Sequence, residues 1–143
     1  METFGSLLDK LSIETIRLSK LDESSAEVVS GVSSKINILK AEIDDYIIAA
    51  VAKKVPIEDP KFKIYKYEKP AGDVFGGIGD AVARLFEANL KLWNLEDVRR
   101  DKSVADKDRL AACDDVARWN RVRNDAMDSI NNMLKTYIEN KNS

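Results

Sequence analysis

The three prolines of this chain, Pro56, Pro60 and Pro70, fall within one short stretch, and that clustering leaves two long tracts without a strong helix breaker. Proline inside a helix removes a backbone hydrogen bond and clashes with the preceding turn, so tracts spared of it can run helical for many turns. In the first tract Leu7, Leu8, Leu11 and Leu18 share one face of a helix expected from about Ser6 to Leu21, with Ser6 as its N-cap. Ser24-Ser25-Ala26-Glu27 then has the spacing of a capping box and opens a second helix. Its positions Val29, Val32, Ile36, Leu39, Ile43, Tyr46 and Ala50 alternate steps of three and four, the seam of a helix packed lengthwise on others, until Pro56 stops it.

The second tract repeats the plan. A helix is expected from about Ile78 to Arg99, and a fourth from about Val104 to Glu139 after a cap signal at Ser103 and Asp106. Phe75-Gly76-Gly77-Ile78-Gly79 reads as the turn into the third helix. Its glycines lack the spacing of a P-loop or dinucleotide fingerprint and no βαβ pattern surrounds them. Between the tracts, residues 54–75 are Pro-rich, and Lys61-Phe62-Lys63-Ile64-Tyr65-Lys66-Tyr67 partly alternates, as in an extended crossover laid along a bundle. The expected fold is therefore all-α: a four-helix bundle-like single domain over 1–143, with hairpin 1 at about 5–53, the crossover at 54–75 and hairpin 2 at about 76–140.

Composition agrees and narrows the chemistry. With 143 residues, 44% of them hydrophobic and 34% charged, the chain has enough apolar surface to bury a core. A net charge of -2 with Lys and Arg spread through both halves gives no basic stripe for a phosphate backbone, so nucleic acid is not an expected partner. Neither a signal peptide nor a membrane span is apparent, which places the expected chain in the cytoplasm, away from membranes. Cys113 is the single cysteine and reads as a small buried helix residue. The absence of histidine removes Ser-His and Cys-His nucleophile systems, imidazole metal ligands and the usual general base.

The two hairpins echo each other. Phe4-Gly5 with Asp9, then Ile16-Arg17-Leu18 and Leu21-Asp22-Glu23, match Phe75-Gly76 with Asp80, then Leu90-Lys91-Leu92 and Leu95-Glu96-Asp97. Asn37, Lys40, Glu42, Asp45 and Ile47 recur as Asn120, Arg123, Asp125, Asp128 and Ile130 at a constant offset of 83. Order-preserved polar matches of this kind point to a duplicated hairpin and an approximate internal two-fold.

A polar cluster concentrates in the second copy. Continuing the three-four alternation through the third helix puts Asn89 and Glu96 at the edge of the core, with Trp93, Asp97 and Arg100 on the same side. On the fourth helix Asn120, Asn124 and Asp128 form a second ladder beside Trp119, Arg123 and Asp125. Buried amides and charges must be satisfied, so the group is either a closed network that sets helix register or the lining of a ligand pocket between helices 3 and 4. The expected ligand-binding set is Asn89, Trp93, Glu96, Asp97, Arg100, Trp119, Asn120, Arg123, Asn124 and Asp128.

Phe4-Gly5-Ser6-Leu7-Leu8-Asp9-Lys10-Leu11-Ser12-Ile13, with Leu92-Trp93-Asn94-Leu95-Glu96-Asp97 and Asn120-Arg121-Val122-Arg123-Asn124-Asp125, resembles an uncharacterised family of small all-helical proteins of bacteria and tailed bacteriophages. In that family the entry helix and the Trp and Glu-Asp segment lie on one continuous helix, whereas here they are divided between the copies. The resemblance implies the helical fold and a phage-like origin, hence a host cytoplasm, and no activity.

Three functions follow as expectations. The first is a non-enzymatic binding protein whose Trp93 and Trp119 stack on a small anionic or nucleotide-like ligand, which Arg100, Arg123, Asn89, Asn120 and Asn124 hydrogen-bond, with no cofactor. The second is an Mg²⁺-dependent nucleotide pyrophosphohydrolase using Glu96, Asp97, Asp125 and Asp128, although Leu92 and Trp93 stand where such enzymes carry acids one turn before Glu96. The third is a homo-oligomeric scaffold in which the cluster is purely structural.

Overall fold

The computed structural model describes residues 2–22, 25–52 and 76–141. They form four helices: α1 (Phe4–Lys20), α2 (Ala26–Val51), α3 (Ile78–Arg100) and α4 (Asp106–Lys141). No strand occurs among the described residues, and none of the helices is long and apolar enough to cross a membrane. The expected crossover and the Ser24 half of the second capping box lie outside the described residues.

α3 and α4 form an antiparallel hairpin joined by a tight connection in which Asp101 Oδ1 accepts from the Ser103 hydroxyl (2.6 Å) and the Ser103 N–H (2.9 Å). The Ser103 hydroxyl thus donates to Asp101. α1 packs on α2 and also lies against both α3 and α4. Its residues meet α4 in reverse order, Gly5 at Asn131 and Asp9 at Arg123, so α1 runs antiparallel to α4 and parallel to α3.

The core gathers Phe4, Leu7 and Leu8 of α1, Tyr46 and Ala50 of α2, Ala81 and Leu85 of α3, and Ala126, Ile130 and Ile138 of α4. All seven seam positions expected on α2 face inward, with Val32, Ile36, Tyr46 and Ala50 buried and Val29, Leu39 and Ile43 half-buried. Fully buried alanines at positions 81, 88 and 126 let the helix axes approach closely. Close approach is most demanding at Gly5, where a Cβ would stand 2.7 Å from the Met127 carbonyl oxygen.

The start of α1 departs from the sequence expectation. Its N-cap is Thr3, whose hydroxyl accepts from the Ser6 N–H (3.1 Å), while the Ser6 hydroxyl accepts from the Thr3 N–H (2.9 Å). Ser6 is thus the third helical residue of a reciprocal box and not the cap itself. The remaining first-turn amides are satisfied from afar: Gly5 N–H donates to Asn131 Oδ1 of α4 (2.7 Å), and Phe4 N–H to the Tyr46 phenol of α2.

The repeated string lies in opposite environments in the two hairpins. Asn37, Lys40, Glu42, Asp45 and Ile47 are exposed on α2, whereas on α4 Asp125 and Ile130 are buried and Asn120, Arg123 and Asp128 are half-buried. Asp9 and Asp80, also matched in sequence, differ as sharply. Asp80 Oδ2 accepts from the Gly76 N–H (2.8 Å) at the exposed entrance to α3, while Asp9 is buried in the middle of the bundle.

Candidate functional site

The site begins with a ladder on α1 that steps by four and then three residues: Gly5, Asp9, Ser12. These three turn the same side of α1 toward α3 and α4. Asp9 is buried, and a carboxylate there demands compensation. Arg123 of α4 supplies it in a two-point fork, Nε donating to Oδ1 (2.8 Å) and an Nη to Oδ2 (2.5 Å). Those bonds hold the Arg123 guanidinium above its already high ordinary pKa, against the opposing effect of its partial burial.

Asn89 of α3 closes the network. Its amide nitrogen donates both to Asp9 Oδ1 (2.8 Å) and to the Ser12 hydroxyl oxygen (2.9 Å). The amide thereby commits both N–H groups to α1, and its carbonyl oxygen has no protein partner among the described residues. One carboxylate thus ties three helices from both hairpins at a single depth.

Beyond this network the three helices leave a groove of about 330 Å³, lined by Ile13 of α1, by Asn89, Leu92, Trp93, Glu96, Asp97 and Arg100 of α3, and by Val116, Asn120 and Arg123 of α4. Seven of the ten expected ligand-binding residues meet there. Glu96 is engaged by its own helix, with Arg99 at 2.6 Å and Arg100 at 3.9 Å. Trp93, Asp97 and Asn120 make no side-chain hydrogen bond among the described residues.

Trp119, Asn124 and Asp128 do not line the groove. Trp119 faces another side of the α3–α4 seam, where its ring is within cation–π range of Arg84 (4.9 Å), Arg118 (5.4 Å) and Lys91 (5.9 Å). The ladder from Asn120 to Asn124 and Asp128 runs down α4 away from the opening. Among the described residues α1 closes against α4 from Arg123 to Asn131, and the groove opens at the Asn120 end. A cluster confined to helices 3 and 4 is likewise corrected, because Asp9, Ser12 and Ile13 come from α1. The signal was present, since Gly5, Asp9 and Ser12 interrupt an apolar face at core spacing.

Two further expectations take a different form. Cys113 is exposed, beside Arg99, Asp106, Arg109 and Leu110. Ala112 provides the buried contact of that turn, and the next residue on a helix points about 100° away. The four acids of the magnesium reading do not converge: no three of Asp, Glu, Cys or His come together as a metal-holding group among the described residues. Asp125 and Asp128 are already engaged in interactions of their own.

Comparison with models of protein families, with curated proteins and with solved structures finds no match for the chain.

Proposed function

We propose that the protein is a non-enzymatic binding module that holds a small nucleotide-like molecule in the groove between α1, α3 and α4. The observation that carries this reading is the division of labour in the cluster. Asp9, Ser12, Asn89 and Arg123 bond to one another and fix the helices, while Trp93 and Asn120 stand at the opening with no side-chain hydrogen bond among the described residues. A rigid floor of that kind holds polar groups in place for a ligand, which lowers the entropy lost on binding. The volume lies at the lower end of the range for small-molecule sites, about 300 to 1,000 Å³.

The phage resemblance suggests a setting in which such a protein sequesters a host nucleotide. Native mass spectrometry of the purified chain, followed by thermal-shift titration with nucleosides and nucleotides, tests the reading. A co-purifying small molecule or a ligand-dependent rise in Tm that vanishes in Trp93→Ala supports it. No bound mass and no shift with any of them overturns it.

A further inference from the structure

The charges around the groove indicate which part of such a molecule it recognises, an inference that rests on the binding reading above. Two cations line the opening, Arg100 and Arg123, and two acids, Glu96 and Asp97. Arg123 is held on both oxygens of Asp9, and Arg100 joins Arg99 in facing Glu96. Among the described residues the lining is balanced, and it stays balanced when the partners Asp9 and Arg99 are counted with it. A phosphate entering here would give up hydration to a lining with no net positive charge among the described residues, its one exposed cation, Arg100, standing 3.9 Å from Glu96.

What remains unspent is neutral or already neutralised. Asn89 has its carbonyl oxygen, Asn120 its whole amide, Trp93 its ring face and indole N–H, and Arg123 an Nη1 amino group that makes no hydrogen bond among the described residues. Donors and acceptors stand together beside an aromatic side chain, with no net positive charge among the described lining residues. That combination suits a planar heterocycle whose edge mixes N–H and C=O groups.

We propose that the groove recognises the base of a nucleoside, with Trp93 against the ring and the Asn89, Asn120 and Arg123 groups along its polar edge, and that any phosphates point outward into solvent. The recognition energy then comes from stacking and neutral hydrogen bonds, and it is nearly independent of salt.

Isothermal titration of the full chain with adenosine, guanosine, cytidine and uridine, with their 5′-monophosphates, and with inorganic phosphate as competitor tests this. Binding of at least one nucleoside is expected, with its monophosphate within about threefold of the same Kd and no competition from phosphate. Asn120→Leu, which removes no hydrogen bond of the fold, is expected to weaken binding by about tenfold or more, and Trp119→Phe to leave it unchanged. Nucleotides binding more than about tenfold tighter than their nucleosides, or displacement by phosphate, overturns the base-recognition proposal while the small-ligand reading stands. Silence from nucleosides and nucleotides alike overturns both.

Discussion

Asp9 and Arg123, separated by 114 positions in the chain, meet in a two-point ion pair that joins the first helix to the last. Asp9 is almost wholly enclosed, whereas Arg123 keeps 30% of its side chain open to the groove. Removing the carboxylate strands a partly desolvated guanidinium, so Asp9→Ala is expected to lower unfolding free energy by about 2 to 3 kcal/mol, between the values for buried and exposed pairs. The double variant Asp9→Leu with Arg123→Met is expected to recover most of that loss, because apolar packing replaces the pair without leaving either charge alone. Urea denaturation of Asp9→Ala, and of Asp9→Leu, Arg123→Met and their double variant as a cycle, measures both quantities. An additive loss would show that the two residues do not act together.

Asn89 should tolerate no added charge. Asn89→Asp replaces two N–H donors with a carboxylate facing Asp9 across 2.8 Å, so a sharp fall in Tm is expected at neutral pH. The deficit relative to wild type is expected to shrink as the pH is lowered through the range where a repelled carboxylate takes up its proton, above the ordinary value of about 4. Melting curves across that range test the repulsion directly, and a pH-independent deficit would point to shape instead.

Two glycines in helices should respond oppositely to alanine. At Gly5 the added methyl meets the Met127 carbonyl at 2.7 Å, and a backbone atom cannot swing aside. Gly5→Ala is expected to cost about 1 to 3 kcal/mol despite the gain in helix propensity. Gly31 on α2 is exposed with nothing within 4 Å, and there the same change is expected to add about 0.5 to 1 kcal/mol. Denaturation midpoints of the two variants provide the comparison.

Tyr46 makes the alkaline limit informative. Burial pushes its phenol above the ordinary value, and the Phe4 N–H only partly offsets that push. A raised phenol means that the folded chain holds its proton longer than the unfolded one. The contribution is therefore complete below the unfolded value of about 10 and is lost as pH rises through the higher folded value. Tyr46→Phe is expected to flatten the fall in stability above about pH 10, seen as converging urea midpoints for the two proteins.

The helices were legible in the sequence because each one buries a single stripe against its neighbours. The α2 seam from Val29 to Ala50 and the inward Leu85 and Asn89 of α3 follow from periodicity alone. Seven groove residues were legible for the same reason, since Asn89 and Glu96 stand where that periodicity calls for apolar groups. What could not be read was the third dimension of pairing. Nothing local says that Asp9 rather than Asp80 will be enclosed, or that Trp119 will turn to Arg84 and Lys91 instead of toward Trp93's side of the seam. Those outcomes depend on where α1 settles across the α3–α4 hairpin. Likewise, the matched strings on α2 and α4 specify the same residues, but only α4 is enclosed by neighbours along that face.

The start of α1 offers its first amides to Tyr46 and Asn131, residues carried by the second and the fourth helices. A growing chain makes Gly5 126 positions before Asn131 exists. Until then the first helix has an unfinished beginning, which hydrogen exchange at Gly5 should reveal in chains truncated before Asn131. Completion of the first turn of α1 therefore waits on the synthesis of α4.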